Sequence, residues 1–157
     1  MRLNEFDQAI LVWGIISSES IAQLKSENTL IAVSEMRPYL VGLKHNIPLL
    51  KKADIDFFYC TDNMLGFLFY KNKIKKTLLF YKELKPQGLV GICGSLYVSL
   101  LSKLHSIPVQ IIPQGKFNFK SSDLDALSLD GKCLILKKDI NFVEAPKEEI
   151  VSWSVLK

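Results

Sequence analysis

A chain of 157 residues that is 48% hydrophobic and 23% charged is sized for one core, with residues 1–157 expected to form a single domain. Folding removes roughly two-thirds of such a chain's surface from water, so neither disulfides nor a structural metal is needed for stability. The net charge of +4 comes from lysine pairs such as Lys51-Lys52, Lys75-Lys76 and Lys137-Lys138 spread along the chain, with no arginine-rich block to suggest a nucleic-acid partner.

Cys60, Cys93 and Cys133 are widely separated, lie among apolar neighbours and form no Cys-x-x-Cys pair. This pattern argues against a disulfide framework or a zinc site, and the three read as small buried hydrophobes in a reducing compartment. Glu5 and Asp7 stand where an export signal would be basic, and the longest weakly polar stretch, Gly88 to Leu101, falls short of the roughly 20 residues that cross a bilayer. A cytoplasmic location and no membrane partner are the expectation.

Short β-branched and aromatic runs alternate with longer segments of helical periodicity, the pattern of βαβ units and a mainly parallel sheet. The first strand is predicted over Ala9 to Trp13, and Ser17-Ser18-Glu19 then offers a cap for a helix reaching Ser26. A second strand covers Thr29 to Val33. Pro38 suits the first turn of a second helix toward Lys44, which breaks near Asn46-Ile47-Pro48 and resumes over Leu49 to Lys52. Asp56 to Cys60 gives a third strand, and Thr61-Asp62-Asn63 supplies capping oxygens for a helix from Met64 to Tyr70.

A fourth strand follows over Lys76 to Tyr81. After Pro86 a long helix is predicted from Leu89 to Ser106, ending before Pro108, and a fifth strand over Val109 to Ile112. Beyond it, residues 117 to 129 read as a surface excursion, Lys132 to Leu136 as a strand and Ile150 to Val155 as an edge strand.

In open α/β sheets ligands gather at the carboxyl ends of strands, where helix amino termini present free amides. Glu35 and Arg37 after the second strand, with Asp62 and Asn63 after the third, form one candidate cluster. It could grip a small phosphorylated or hydroxylated molecule, or the arginine could simply fasten two acidic loops. Gly88, Gly91 and Gly94 lack the Gly-x-Gly-x-x-Gly order of a dinucleotide site, so no such cofactor is expected. Their spacing suits a helix lying close on the sheet, although the Gly94-Ser95 amides could also receive an anion. His45 and His105 have no triad partners at a suitable spacing and read as helix-end residues, while Trp13 and Trp153 read as core or interface aromatics.

Three stretches together resemble the regulatory subunits of translation initiation factor 2B and the related methylthioribose-1-phosphate and ribose-1,5-bisphosphate isomerases. Ser34-Glu35-Met36-Arg37-Pro38-Tyr39-Leu40-Val41-Gly42 resembles that family's Glu-Thr/Ser-Arg-Pro-x-x-x-Gly element, and Thr61-Asp62-Asn63-Met64 its Thr-Asp-Ser turn. Gly94-Ser95 through Lys103-Leu104-His105-Ser106-Ile107-Pro108 is similar to its Ile-Gly-Thr helix. A fainter echo runs from Phe142 to Val151. The resemblance implies a three-layer Rossmann-like α/β domain with a mainly parallel sheet, of the ribose-phosphate isomerase and CoA-transferase type. It also implies a homodimer or higher oligomer.

The departures bear on function. Where those isomerases carry a cysteine after the first strand, this chain has Trp13-Gly14-Ile15. Reading back from Gly94 without gaps places Tyr81 at the family's catalytic aspartate and Gly91-Ile92 at its Asn-Lys pair, and the expectation is that the family's amino-terminal helical domain has no counterpart among these 157 residues. Aldose–ketose isomerisation needs a positioned acid and base. The resemblance therefore implies a non-catalytic binding or assembly module with no catalytic residues, cofactor or metal. Such a module could hold a phosphorylated ligand through Glu35, Arg37, Asp62, Asn63, Gly94 and Ser95, or a protein partner. Two alternatives stand beside it: a sugar-phosphate enzyme that uses Glu35, Asp62 or Glu83 as its base, and a basic protein binding RNA or an initiation complex.

Overall fold

The computed structural model describes residues 2–118, 128–129, 132–133 and 146–157. Its sheet is built outward from β1 (Ala9–Trp13), all five residues of which are buried. β2 (Ile31–Ser34) pairs with β1 in parallel, β3 (Phe57–Cys60) pairs with β2 in parallel, and β4 (Ile74–Lys85) runs parallel along the other side of β1. Side chains alternate across the sheet with period two. Ala9, Leu11 and Trp13 therefore enter one core layer with Leu65, Leu68 and Phe69 of α3 (Met64–Tyr70) and Val98 of α4 (Ser95–Leu104). Ile10 and Val12 enter the opposite layer with Leu24 of α1 (Ile21–Ser26) and Leu50 of α2 (Ile47–Lys52). Helices thus cover both faces of a mainly parallel sheet, as expected for a three-layer Rossmann-like domain. Complete burial of each such aliphatic side chain contributes about 1.5–3 kcal/mol.

The carboxyl half of β4 departs from the expectation. Lys85 pairs with Gly88 across the Pro86-Gln87 turn, so Gly88–Ile92 is an antiparallel strand, β5, and not the first turns of a long helix. An apolar run of this length fits either element by periodicity, and the turn at Pro86 selected the hairpin. β5 in turn pairs antiparallel with β9 (Glu148–Ser152), while β6 (Val109–Pro113) pairs parallel with the middle of β4. The predicted edge strand at Ile150 to Val155 thus lies slightly earlier, and a short helix, α5 (Trp153–Leu156), completes the chain.

The close helix–sheet approach expected of the glycines is made at Gly91, where a Cβ would meet Ser95 Oγ of α4 at 2.3 Å, and at Gly94, which receives the Trp13 ring, while Gly88 abuts Val151 of the neighbouring strand. Ser95, Ser99 and Ser102 are buried on the α4 side of that contact. Their hydroxyls are satisfied by Ile92 O, Ser95 O and Val98 O within 2.9 Å. Pro38 lies in a turn over residues 37–40, with a cis Arg37–Pro38 peptide, and not in a helical first turn. The second helix does not break at Asn46-Ile47-Pro48. A π-helical segment, Gly42–Asn46, runs straight into α2, and Pro48 near the start of α2 has no backbone N–H to give to the turn before it. The excursion over 117–129 and the predicted strand Lys132–Leu136 lie largely outside the described residues. Within them, β7 (Ser128–Leu129) and β8 (Lys132–Cys133) pair antiparallel.

Candidate functional site

The carboxyl ends of β2 and β3 bring Glu35, Arg37 and Asp62 together. Asp62 Oδ1 accepts from the Ser34 hydroxyl and, at 2.8 Å, from the Met36 amide, while Oδ2 accepts from the Arg37 amide at 2.8 Å. The oxygens expected to cap α3 are therefore used to clasp the neighbouring loop. Asn63 occupies the N-cap position without a side-chain cap, and its Oδ1 accepts from Thr61 Oγ1 at 2.5 Å. Buried Glu35 pairs with Arg37 Nε at 3.2 Å and accepts from the Tyr59 hydroxyl at 3.2 Å. Glu83, the remaining candidate base, is exposed beside Lys85 at 3.6 Å.

Gly94 and Ser95 stand apart from this cluster, at the start of α4. Gly94 adopts φ +91°, and a Cβ there would fall 2.2 Å from Cζ2 of Trp13. Trp13 itself is buried, and its Nε1 has no hydrogen-bond partner among the described residues. The Ser95 hydroxyl donates back to Ile92 O, so it is turned away from any ligand. The next free amide, Leu96 N, donates to Glu149 Oε1 at 2.7 Å. An acidic side chain of β9 thus holds the position where an anion would meet the helix amino terminus.

Cys93, the residue before Gly94, is half-buried where a buried residue was expected. Burial first, then Glu149 and Asp62, push its thiol up, while an amide hydrogen bond from Gly94 partly opposes them. At buried Cys60, desolvation followed by Asp62 and Glu35 pushes the thiol up to about 12. Both thiols stay protonated at neutral pH and are poor nucleophiles. Cys133 lies where side chains are not described.

The loop after β1 is fixed from below. Gly14 has φ +102°, and a Cβ there would lie 2.6 Å from Phe80 O, which leaves no room for a side chain at the position following Trp13. Buried Asn46 accepts from Ile16 N at 3.1 Å and donates to Gly14 O at 2.9 Å, and His45 Nε2 lies 2.9 Å from Ile16 O. The π-helical turn delivers these two neighbouring side chains to one loop. Tyr81, two residues past Leu79, which is in register with Trp13, joins the same core layer and pairs with Gly91 across the hairpin. Reading the sequence missed Tyr59, Asn46 and Glu149 as parts of this region, because each reaches it across a long stretch of chain.

Comparison with known proteins places these features. Residues 10–128 match the Initiation factor 2 subunit family. A putative methylthioribose-1-phosphate isomerase of Methanosphaera stadtmanae is 26% identical over 142 residues, covering 83% of this chain and 45% of that protein. The protein of the same name from Methanocaldococcus jannaschii is 30% identical over 99 residues, covering 62% of this chain and 30% of that protein. Among solved structures, the delta subunit of translation initiation factor eIF-2B from A. fulgidus superposes with a TM-score of 0.77 at 13% identity, over 98% of this chain and 52% of that one. The 5-methylthioribose 1-phosphate isomerase of Pyrococcus horikoshii OT3 superposes with a TM-score of 0.77 at 15% identity, over 96% of this chain and 48% of that one. The chain thus spans about half the length of the relatives whose fold it shares, and with more than half of its own residues inside the family match it belongs to the Initiation factor 2 subunit family.

Proposed function

We propose that this chain is a non-catalytic assembly module of its family that pairs with a second copy of itself. The observation that carries the reading is the packing of Trp13 against Gly94, with Tyr81 partly buried against the same core layer, so that two aromatic side chains stand where the resemblance to the isomerases calls for a reacting thiol and carboxyl group. The surrounding polar groups support it. Asp62 is engaged by three donors, Glu35 by Arg37 and Tyr59, and the α4 amino terminus by Glu149. A base already accepting several hydrogen bonds is poorly placed to take a substrate proton.

Support for pairing comes from the outer surface of α3 and α4. Phe67 and Tyr70 of α3 are 43% and 67% exposed, and Leu100 and Leu104 of α4 are 49% and 77% exposed. The two helices touch, with Gly66 facing the Tyr97 hydroxyl, so these residues form one apolar face of the kind that marks an interface. One neighbour in fold is named as a subunit of a larger factor.

Two measurements test the proposal. The 157-residue chain should give no turnover of methylthioribose-1-phosphate or ribose-1,5-bisphosphate above the uncatalysed rate, and it should sediment as a dimer that Leu100→Glu dissociates while leaving the helical circular dichroism intact. Turnover by folded protein overturns the non-catalytic reading, and a monomer at all concentrations overturns the pairing.

A further inference from the structure

We propose that the amino-terminal ends of the parallel strands form a surface for single-stranded nucleic acid, centred on the turn from α3 to β4. Between Asp62 and Glu83 the chain has five lysines and no acidic residue, and four of them, Lys71, Lys73, Lys75 and Lys76, fall within six residues. The other lysine pairs are distant in sequence, but the fold gathers one of them here. β1 to β4 run parallel, so the helices that join them end beside the strand starts. The last turns of α1 and α2 thus bring Lys25, Lys51 and Lys52 to the same end as the α3–β4 turn. Asp7, Glu27, Asp54 and Asp56 stand against these lysines, which leaves most of the chain's +4 charge at this end.

Lysines in the last turn of a helix complement its dipole, and that accounts for Lys25, Lys51 and Lys52. Lys73 and Lys75 flank the first residue of β4 and have no such role. The lysine run is instead laid over aromatic rings. Lys71 Nζ lies 5.0 Å from the ring centre of Tyr70 and 5.7 Å from that of Phe67, and Lys73 Nζ lies 5.1 Å from that of Phe6. Lys76 is taken up by Glu27 at 2.6 Å, whereas Lys75 donates at 2.9 Å to the neutral Thr29 hydroxyl, which leaves its charge available to an anion. Tyr70 is 67% exposed. An exposed ring among ammonium groups takes a base by stacking while the ammonium groups meet phosphates. An acidic peptide would use the charge and leave the ring without a role. The inference goes beyond the proposed pairing, and because Tyr70 also borders the apolar face of α3 and α4, the Leu100→Glu chain separates the two.

The test is fluorescence anisotropy of a labelled oligouridine of about 12 nucleotides titrated with the 157-residue chain, wild type and Leu100→Glu. Both should bind; binding by Leu100→Glu alone would uphold the surface and show that pairing covers it. With three lysines meeting phosphates, affinity should fall about twentyfold between about 50 and 200 mM salt, and Lys71→Gln combined with Lys75→Gln should flatten that fall to about threefold. Tyr70→Ala should weaken binding about fivefold or more at unchanged salt dependence. Lys116→Gln, past the carboxyl end of β6, should change nothing. These substituted side chains are all exposed, and circular dichroism checks that each variant is folded. Polyglutamate of matched length should bind more weakly than the RNA. No RNA binding by either chain at about 50 mM salt, a salt dependence untouched in the double lysine variant, unaltered affinity in Tyr70→Ala, or polyglutamate binding as tight as the RNA would each overturn the inference.

Discussion

Replacing Asp62 by alanine tests whether this carboxylate is a clasp between two loops. It accepts from the Ser34 hydroxyl and from the amides of Met36 and Arg37. Met36 is buried, so its amide loses a charge-assisted partner where water enters with difficulty, at a cost of about 1–3 kcal/mol. Arg37 is only half-buried, so water replaces much of its lost bond, leaving about 0.5–1 kcal/mol. Ser34 Oγ already lies 3.4 Å from Met36 N and can recover part of the loss. The sum is about 1.5–4 kcal/mol before that recovery, or roughly 3–16 °C in melting temperature for a chain of this length. Urea and thermal unfolding of Asp62→Ala against wild type measure it, with Asn63→Ala, whose side chain is exposed, as the control expected to stay within about 0.5 kcal/mol. An Asp62→Ala protein as stable as wild type would show that the three bonds do not hold the loop, and the carboxylate would again be a candidate ligand group.

Asn46→Ala should cost about 2–5 kcal/mol, because it strips partners from Ile16 N and Gly14 O at a fully buried position, and denaturant midpoints at constant m value check it. Gly94→Ala should cost about 2–5 kcal/mol from a left-handed backbone combined with a Cβ placed 2.2 Å from Trp13, and unfolding followed by tryptophan fluorescence reads both the stability and the displacement of the indole. The pH response of Cys60 follows from its thiol being pushed up to about 12, by desolvation first and then by Asp62 and Glu35. The unfolded thiol ionises at about pH 8.5 while the folded one keeps its proton, so this contribution is complete below about pH 8.5 and is lost as pH rises toward 12, by at most about 1.4 kcal/mol per unit. Wild type should therefore lose more stability than Cys60→Ala between neutral pH and about pH 10, and parallel losses in the two proteins would refute the assignment.

Much of the frame is written locally in the chain. Ala9–Trp13 is apolar at every position and flanked by turn residues, so its strand bounds follow directly, and the Met64–Tyr70 helix follows from its apolar spacing. The segments Ser34–Gly42, Thr61–Met64 and Gly94–Pro108 carried the family likeness that the match over residues 10–128 bears out. These signals survive because backbone propensity, side-chain period and motif order are properties of neighbours in sequence.

What the tertiary structure decided concerns partners distant in the chain. Gly88–Ile92 became a strand because β4 and β9 flank it, a choice that an apolar run cannot make alone. The acids read as ligand groups are taken up within the fold. Asp62 spends its oxygens on a loop 25 to 28 residues earlier, and Glu35 accepts from Tyr59, 24 residues later, while Glu149, which the sequence reading passed over, reaches the α4 amide of Leu96, 53 residues away. A carboxylate's role depends on which donors surround it in space, and those donors are assembled only when the sheet brings its strand ends together. The same physics made Trp13 a core residue: its place at the end of β1 was visible in the sequence, while the glycine that receives its ring lies 81 residues further on.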